Sequence, residues 1–353
     1  MNHRIMRIYN LGKVPWVESQ LIYHALAEMG QEALSLVSPA SPYVCIGFHQ
    51  DVEQEVDLAY CETKGIPVFR RDLGGGAVYL DGDQLFFHLI LHKDNPTVPR
   101  SKETFYRKFL EPIIQVYRRI GIPAEYKPVN DVIAGTKKIS GTGVGEIGDC
   151  IVFVGNLIVD FNYDEMVRVL KVPDEKFRDK VHKTLKDNLT TIRRELGEEQ
   201  ARTWSEERLN AMMAEEFQRI TGPMEPSEKD GALAAKMTEM AAQMTAETWL
   251  FQKGKKKPGR DVKIRDGVNI VHKAYKAPGG LIRADVEIMD GRLGEVVLSG
   301  DFFCFPQDAV RRLEKALAGK SVGEVGAVLE AFYWGGGVET PGIKVEDWMQ
   351  VLP

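Results

Sequence analysis

A run of three glycines separates two strand-like segments, residues 66–70 and 78–80. The run consists of Gly74, Gly75 and Gly76. Because glycine lacks a Cβ, we expect the run to have no packing role and to bring backbone N–H groups close to a ligand, as phosphate-binding loops do. Arg70 and Arg71 add planar donors that suit phosphate or carboxylate. The pattern favours an anion site over its alternative, a glycine-rich hairpin with solvated arginines.

Strand-like segments follow one another directly more often than they alternate with helices. Residues 78–80 and 85–91, joined by a turn, predict a hairpin. Three further strands are predicted at residues 129–134, 138–141 and 150–159. Helical periodicity is found at residues 14–30, 57–64, 102–120, 164–170, 205–220 and 232–247. This order predicts an α+β fold, in which helices pack on a mixed or antiparallel sheet.

The length of 353 residues suits one large domain and a smaller one. We place the larger domain at residues 1–250 and the smaller at 251–353, where paired strands and one helix are predicted at 280–288, 294–300 and 308–318. The smaller domain begins with a basic linker. Its charged residues are Lys253, Lys255, Lys256, Lys257, Arg260, Lys263 and Arg265 against Asp261. Without interleaved aromatics, a solvated linker is favoured over a nucleic-acid site, and it could also steer an acidic partner.

Charge and composition exclude several classes of protein. The net charge of −5 argues against a general nucleic-acid binder. The four cysteines show no CxxC spacing, which excludes a zinc ribbon and a dense disulfide framework. We find no signal peptide and no apolar run of the ~18 residues that a membrane span needs. These features predict a soluble cytoplasmic protein that binds neither nucleic acid nor membrane.

A second polar segment begins with Asn130 and Asp131 and continues to Lys138, which an apolar residue, a serine and Gly141 follow. A lysine ammonium is a mobile point charge that can stabilise a phosphate or an acyl oxygen. Its alternative is an ordinary surface lysine. The mixed-charge residues 172–186 predict a solvated helix or loop, and they also suit a mobile lid over a charged ligand.

Taken together and in this order, these segments resemble the lipoate–protein ligase A family, within the biotin/lipoate protein ligase superfamily. Arg70 and Arg71 with residues 74–79 resemble its first signature, and residues 138–141 its second. Asn130 and Asp131 resemble the pair that precedes the second signature. Residues 170–180 are similar to a segment that closes over the adenylate in archaeal-type members. Residues 280–301, which run into the sequence Ser-Gly-Asp-Phe-Phe at 299–303, resemble an accessory domain, found fused or as a separate subunit.

The resemblance implies a biotin/lipoate ligase-like catalytic domain with a fused α+β accessory domain, and a two-step acyl transfer. ATP and Mg²⁺ would activate lipoate to lipoyl-AMP. The lipoyl group would then pass to a lysine of a carrier domain, in a 2-oxoacid dehydrogenase E2, a glycine cleavage H protein or a related protein. Both steps build negative charge beside a phosphate, where fixed donors are effective.

Residue roles follow from the same resemblance. Lys138 would lie between the lipoyl carbonyl and the α-phosphate, and would stabilise charge without acting as a nucleophile. Asn130 and Asp131 would lie near the phosphates, with Asp131 beside Mg²⁺. Other residues would form the adenylate-binding loop. Arg71 with the backbone of Gly76, Ala77, Val78 and Tyr79 would contact the nucleotide, while Arg70, Gly74 and Gly75 would shape the loop.

Two positions depart from the family pattern. Leu80 stands where members commonly have histidine, and residues 153–156 replace a His-rich Gly-Thr stretch. We expect these changes to affect acyl or acceptor specificity more than the fold. Two other functions stay open. One is an octanoyltransferase that uses octanoyl-acyl carrier protein and a cysteine thioester, for which Cys150 is the nearest candidate. The other is a non-catalytic binder of lipoate or lipoyl domains.

Overall fold

The structure is a computed structural model that describes residues 6–99, 101–128, 130–253, 262–265, 268–335 and 337–353. The strands, numbered along the chain, are β1 Arg7–Val14, β2 Ala33–Pro39, β3 Tyr43–Ile46, β4 Val68–Arg70, β5 Val78–Leu80, β6 Gln84–His92, β7 Ala124–Lys127, β8 Asp131–Ala134, β9 Lys137–Ser140, β10 Thr142–Ile147, β11 Cys150–Ile158, β12 Glu225–Pro226, β13 Val262–Arg265, β14 Val268–Ala277, β15 Gly280–Met289 and β16 Arg292–Gly300. The helices are α1 Trp16–Glu28, α2 Val52–Glu55, α3 Leu58–Lys64, α4 Lys102–Arg119, α5 Tyr163–Val169, α6 Glu175–Asn188, α7 Ile192–Leu196, α8 Glu198–Ala201, α9 Glu206–Thr221, α10 Gly231–Met244, α11 Glu247–Leu250, α12 Ala309–Leu317, α13 Val325–Trp334 and α14 Val345–Val351.

The chain forms two compact units. Unit 1 contains Met1–Val44, Asp57–Val68 and Val78–Thr245. Unit 2 contains Cys45–Val56, Phe69–Ala77 and Ala246–Pro353. The C-terminal unit therefore includes two short segments from the first 80 residues, and the second of them carries the arginine pair and the three glycines.

Unit 1 is built on a six-stranded sheet of order β10-β11-β6-β2-β1-β12. Strand β1 runs parallel to β2 and β12, while the other neighbours are antiparallel. Helices α1 and α9 pack on the sheet, and α4 packs on α9. The predicted α+β class, with helices on a mixed sheet, is confirmed.

The hairpin predicted from residues 78–91 is wrong. Strand β5 belongs to a separate three-stranded sheet of order β4-β3-β5, whereas β6 lies inside the six-stranded sheet between β11 and β2. The first eight residues of β6 are buried, including those at alternate positions. A strand that is buried on both faces suits the interior of a covered sheet, and helices α1 and α9 both contact β6 there.

Helix α4 shows why the long predicted helices form where they do. The Ser101 hydroxyl accepts from the backbone N–H of Thr104, which satisfies an otherwise unpaired donor of the first turn. Phe105, Phe109 and Ile113 recur every four residues and are buried. The chain leaves the helix at a glycine with positive φ.

A small antiparallel sheet of order β7-β8-β9 lies in unit 1 and carries the second predicted signature. Strands β8 and β9 form a tight hairpin whose turn contains Gly135, at φ +60°. Glycine adopts this left-handed conformation without the steric cost that a Cβ brings. The hairpin therefore holds Asp131 and Lys138 on two adjacent, hydrogen-bonded strands.

Unit 2 contains the antiparallel sheet β13-β14-β15-β16. Buried and partly exposed residues alternate along most of β15, as expected for a strand with one face on a core. Helix α12 covers that core through Val310 and Leu313, and α14 adds the buried Trp348. The strands and the helix predicted between residues 280 and 318 are confirmed. Most of the predicted basic linker, residues 254–261, lies outside the described residues.

Among the residues that the structure describes, no helix combines the length and the apolar character needed to span a bilayer.

Candidate active site

Lys138 and Asp131 form an ion pair in unit 1. The Nζ of Lys138 lies 2.6 Å from Oδ1 of Asp131, and the two side chains are 37% and 30% exposed. Hydrogen bonds fix the backbone at the lysine and at the residue after it: the carbonyl of Lys138 accepts from Thr190 N–H at 2.8 Å, and the carbonyl of Ile139 accepts from the Tyr117 hydroxyl at 2.7 Å. The ammonium is thus a solvent-accessible cation on a fixed strand, with a carboxylate partner that a phosphate could replace.

Asn130 uses its side chain to fasten the start of this hairpin. Its amide Nδ2 donates to the carbonyl of Thr142 at 3.0 Å, and its own carbonyl accepts from the Thr142 hydroxyl at 2.6 Å. These two bonds tie the entry of β8 to the start of β10. Asn130 therefore shapes the hairpin in the structure as it stands.

The described residues contain no cluster of three His, Cys, Asp or Glu that could hold a metal ion. Mg²⁺ is often bound through one or two carboxylates together with substrate phosphates and water. Asp131, partly exposed and beside a cation, fits the single carboxylate of such a site. The protein alone does not supply a complete set of Mg²⁺ ligands among these residues.

In unit 2, the guanidinium of Arg71 donates hydrogen bonds to backbone carbonyl groups of the glycine run. Its Nη2 donates to the carbonyls of Gly74 at 2.8 Å and Gly76 at 3.0 Å, and its Nε donates to Gly74 at 3.3 Å. Its Nη1 donates to the carbonyl of Cys45 at 3.4 Å. These bonds stabilise the bent conformation of the loop. The Arg71 side chain is only partly buried, so part of it is accessible to solvent.

The expectation that the glycines have no packing role is wrong for two of them. A Cβ on Gly74 would lie 2.5 Å from the carbonyl oxygen of Phe302, and one on Gly75 would lie 3.1 Å from the ring of Phe303. The N–H of Gly75 also donates to the Phe302 carbonyl at 3.3 Å. Because Gly74 and Gly75 lack side chains, the backbone of residues 301–303 can pack directly against them. The sequence analysis placed residues 301–303 only in the smaller domain.

Gly47 is a glycine of this site that the sequence analysis missed. A Cβ there would lie 1.9 Å from the carbonyl oxygen of Gly75, so the loop rests directly on its backbone. Gly47 belongs to the short connection after β3 and stands outside any recognisable motif. Its proximity to Gly75 follows from tertiary structure alone.

Arg70 is fully buried, and its partners among the described residues are backbone carbonyl groups. The five acceptors lie in two chain segments: Gly47, Phe48, Gln50, Trp249 and Leu250. Burial, the largest cause, lowers the pKa of the guanidinium to about 10, which leaves it charged at neutral pH. Arg70 thus joins the connection after β3 to the end of α11, and its donors are occupied by the protein.

The residues after the glycines differ in accessibility. Ala77 is partly buried and Val78 is 37% exposed. Tyr79 is buried, its N–H donates to Met166 Sδ at 3.2 Å, and burial raises the pKa of its hydroxyl to about 12. Leu80 is buried beside it in β5. Residues 76–78 are therefore more accessible than Tyr79 and Leu80.

The predicted site residues divide between the two units. Unit 1 holds Val78, Tyr79, Asn130, Asp131 and Lys138, and within it Asp131 contacts Lys138 directly. Unit 2 holds Arg70, Arg71, Gly74, Gly75, Gly76 and Ala77. Within unit 2 the glycine loop, Arg71 and the 301–303 segment form one cluster.

The cysteines are unsuited to hold an acyl group in this structure. All four are buried, and none forms a disulfide. Cys150 begins β11 with no exposed surface, and burial raises the pKa of Cys45 despite the neighbouring Arg71. A thioester nucleophile must be accessible and partly ionised, and neither thiol meets both conditions.

A cavity of about 650 Å³ lies in unit 2, and none of the predicted site residues is among those that line it. Its lining includes the carboxylates of Glu247, Asp285, Glu295 and Glu314. Lys253, the described first residue of the basic linker, also lines the cavity and pairs with Glu314 at 2.6 Å.

Helix α6 occupies the stretch predicted as a solvated helix or lid. Asp174 caps it by accepting from the N–H of Phe177 at 2.8 Å, and none of its side chains is buried. The helix packs on α5 and on β9, the strand of Lys138. Its solvated helical character is confirmed, and movement over a ligand stays a prediction.

Residues 16–218 match the family model described as the lipoyl protein ligase A/B catalytic domain. The chain belongs to this family. The lipoate–protein ligase LplJ of Bacillus subtilis is 29% identical to it over 279 residues, 79% of this chain and 78% of that protein. The predicted membership of the lipoate–protein ligases, which are enzymes, is confirmed.

A ligase of this family from Thermoplasma acidophilum exists as two subunits that both match this single chain. Subunit 1 is 35% identical over 159 residues, 42% of this chain and 59% of the subunit. Subunit 2 is 41% identical over 80 residues, 23% of this chain and 84% of the subunit. The P. falciparum LipL1 structure in complex with lipoate superposes with a TM-score of 0.70 at 14% identity, covering 92% of this chain and 94% of that one. That likeness confirms the ligase-like fold.

Proposed function

We propose that this protein is an ATP-dependent lipoate–protein ligase that makes lipoyl-AMP and transfers the lipoyl group to a lysine of a carrier domain. The observation that carries the proposal is Lys138, an accessible ammonium on a hydrogen-bonded strand with Asp131 as its only near carboxylate among the described ion pairs. Family membership and the arginine-bound glycine loop support it.

In the first step a lipoate carboxylate oxygen attacks the α-phosphorus of ATP. The new P–O bond forms as the bond from the α-phosphorus to the bridging oxygen breaks, and pyrophosphate leaves. In the second step the neutral amine of the carrier lysine attacks the acyl carbon. The C–N bond forms, the bond to the AMP oxygen breaks, and the amine proton is released to solvent.

Lys138 acts as an electrostatic stabiliser in both steps. Charge grows on the α-phosphate during the first and on the acyl oxygen during the second, and a fixed ammonium lowers both barriers. Because the lysine retains its proton and forms no bond to the acyl group, it is not consumed. We propose that it contacts the lipoyl carbonyl and the nucleotide.

The glycine loop holds the nucleotide. We propose that Arg71 and the backbone of Gly76, Ala77, Val78 and Tyr79 contact it, while Arg70, Gly74 and Gly75 maintain the loop. The burial of Arg70 and the contacts of the two glycines with residues 302 and 303 support this division. Asn130 keeps the β8–β9 hairpin in place beside the phosphates.

Mg²⁺ would be held by Asp131 together with phosphate oxygens. The ion supplies charge neutralisation for the departing pyrophosphate when it is bound. Asp131 suits this role because its carboxylate is partly exposed and is paired with a single ammonium, that of Lys138. No cluster of protein ligands in the described residues competes with it for the ion.

The acceptor is a lipoyl carrier domain of the kind found in 2-oxoacid dehydrogenase E2 or glycine cleavage H protein. We propose that residues 1–250 form the catalytic domain and residues 251–353 the accessory domain. The match of one chain to both Thermoplasma ligase subunits supports a fused arrangement. The segment at 301–303, which packs on Gly74 and Gly75, makes the loop dependent on the accessory part.

Transfer to a carrier tests the proposal. The full chain is incubated with a lipoyl domain, lipoate, ATP and Mg²⁺, and the carrier is weighed by intact-mass spectrometry. We expect one lipoyl group per carrier, dependent on ATP and abolished when the acceptor lysine is replaced by arginine. Transfer of octanoyl from acyl carrier protein without ATP would instead establish an octanoyltransferase. Binding of lipoate without any transfer would establish a non-catalytic binder.

A further inference from the structure

Three buried polar side chains of unit 1 connect Tyr79 in β5 with the end of β9, the strand of Lys138. Gln84 begins β6, Asn156 lies in β11 and Ser140 ends β9. Each is at least nine-tenths buried. A buried polar group is costly unless its hydrogen bonds are satisfied, and a satisfied network fixes one geometry.

Hydrogen bonds join these side chains into one continuous path. Gln84 Nε2 donates to the carbonyl of Tyr79 at 3.1 Å, and Asn156 Nδ2 donates to Gln84 Oε1 at 2.8 Å. Asn156 Oδ1 accepts from the N–H of Gly141 at 2.9 Å. The Ser140 hydroxyl donates to the carbonyl of Asn156 at 2.6 Å. Every member of this path, which we name the amide relay, belongs to unit 1.

The relay reaches the backbone at both signatures. At one end is Tyr79, the last residue of the segment that follows the glycines. At the other are Ser140, the last residue of the four-residue Lys138 strand, and Gly141, which follows it. Asn156 also donates its N–H to the carbonyl of Gly141 at 3.3 Å, so three bonds fasten it to residues 140 and 141.

We propose that Asn156 is a positioning residue: through the amide relay it sets the place of the Lys138 strand relative to Tyr79. This inference rests on the proposed ligase function for its catalytic consequence. A fixed cation stabilises developing charge only within a fraction of an ångström of its productive position. Asn156 itself need not touch substrate.

Close packing around the relay supports this role. A Cβ on Gly155 would lie 2.5 Å from the ring of Phe87 and 2.9 Å from the carbonyl oxygen of Gly141. The neighbouring glycine therefore allows β11 to approach Gly141 closely enough for the asparagine to bond it from both sides. The sequence analysis noted residues 153–156 only as a departure from the family pattern.

The experiment compares Asn156→Leu with Asn210→Leu in the full chain. Asn210 is a buried asparagine of α9 whose Nδ2 donates to Asn10, outside the relay. We expect both variants to lose comparable stability in thermal unfolding. Only Asn156→Leu should lower kcat for lipoate-dependent pyrophosphate release, by at least about tenfold, with KM for ATP and lipoate changed less than threefold.

A double-mutant cycle with Gln84→Leu tests whether the two amides act as one path. If they do, the double variant lowers kcat no further than the more severe single variant. Multiplying effects, or unchanged kcat in Asn156→Leu at matched stability, would overturn the positioning role. Asn156→Asp keeps the acceptor for the Gly141 N–H and loses the donor to Gln84, so it should fall between wild type and Asn156→Leu.

A structural readout keeps this inference separate from the ligase proposal. The ¹³Cε resonance of Lys138 reports its surroundings, and Lys229, which pairs with Glu18 away from the relay, is an internal reference. We expect the Lys138 signal to move in Asn156→Leu and to stay in place in Asn210→Leu. A wild-type chain without pyrophosphate release would defeat the ligase function, while an unmoved Lys138 signal would defeat the relay.

Discussion

The ammonium of Lys138 lies 2.6 Å from the carboxylate of Asp131 across the β8–β9 hairpin. Both side chains are about one-third exposed, so the pair contributes at most about 1 kcal/mol to stability. Such a weak pair can exchange its carboxylate for a phosphate without unfolding the hairpin. The pair thus places two groups of the proposed chemistry together on a small, rigid element.

Replacing Asp131 by asparagine should change the Mg²⁺ dependence of pyrophosphate release but leave the free energy of unfolding nearly unchanged. Asp131→Asn is expected to change the free energy of unfolding by less than about 1 kcal/mol, because the lost ion pair is partly exposed. It should raise the Mg²⁺ concentration needed for half-maximal pyrophosphate release at least about threefold, since one carboxylate ligand is lost.

Asp160→Asn is the matched control for this change. Asp160 pairs with Arg193 at 2.5 Å, and the two side chains are 32% and 37% exposed, much as in the Lys138 pair. The control should leave the Mg²⁺ dependence at its wild-type value. The same Mg²⁺ response in both variants would remove Asp131 from the proposed metal site.

Gly47→Ala should displace the glycine loop at Gly75. The new Cβ would lie 1.9 Å from the carbonyl oxygen of Gly75, and backbone cannot yield as a flexible side chain does. We expect a loss of about 1–3 kcal/mol in the free energy of unfolding, as in other overpacked sites. Pyrophosphate release should fall at least about tenfold. Denaturant unfolding and the release assay measure both.

Gly326→Ala gives the comparison within the same unit. Gly326 lies in α13 at an ordinary φ, and a Cβ there would meet nothing within 4 Å. Alanine should stabilise the helix by up to about 1 kcal/mol and leave activity unchanged. Equal effects of the two substitutions would show that the loop does not rest on Gly47.

The neighbouring arginines should respond differently to replacement by lysine. Arg70 bonds five carbonyl groups that a lysine, with three donors on one atom, cannot all reach. Arg70→Lys should therefore destabilise the protein by at least about 2 kcal/mol. Arg71→Lys should cost less stability and mainly raise the KM for ATP. A larger loss of stability in Arg71→Lys would reverse the assigned roles.

His49 should make stability depend on pH. Its ring stacks on Phe302 with centroids 5.0 Å apart, and its Nδ1 is buried without a hydrogen-bond partner among the described residues. Burial, followed by the charges of Lys253 and Arg70, lowers its pKa to about 3. Below the unfolded-state value near 6.5 the unfolded chain binds more protons than the folded one, so stability falls as pH falls.

His49→Phe keeps a ring against Phe302 and cannot titrate. Between pH 6 and pH 4 it should remove about 1.4 kcal/mol per pH unit from the slope of the unfolding free energy. His88 is buried in unit 1 with a pKa also lowered to about 3, so part of the slope should remain. An unchanged slope in His49→Phe would show that His49 is protonated in the folded state.

Local sequence patterns predicted the helices and most strands around the site, because the interactions that start and end these elements are local. The strand predicted at residues 150–159 is β11, Cys150–Ile158, and the helix predicted at 57–64 is α3, Leu58–Lys64. Periodic burial, caps and glycine stops all act within a few residues. Residue type and the family resemblance, not these patterns, identified Lys138 and Asp131 as candidates, and the structure places the two side chains in contact.

The partners of those segments depend on contacts between distant residues, which no local pattern reports. The contact of Gly75 with Phe302 spans more than 220 residues, and a triple glycine reads equally as a ligand loop or as room for another backbone. The hairpin prediction failed for the same reason: the turn before β6 is local, but the strands that flank β6 are not.

The central claim is that Lys138 stabilises the formation of lipoyl-AMP. The decisive measurement is lipoate- and ATP-dependent pyrophosphate release by the wild type, by Lys138→Ala and by Lys137→Ala, the adjacent lysine on the same strand. We expect release by the wild type to require lipoate, to fall at least about 100-fold in Lys138→Ala and to persist in Lys137→Ala. Release that is independent of lipoate, or equal in the two variants, would contradict the account.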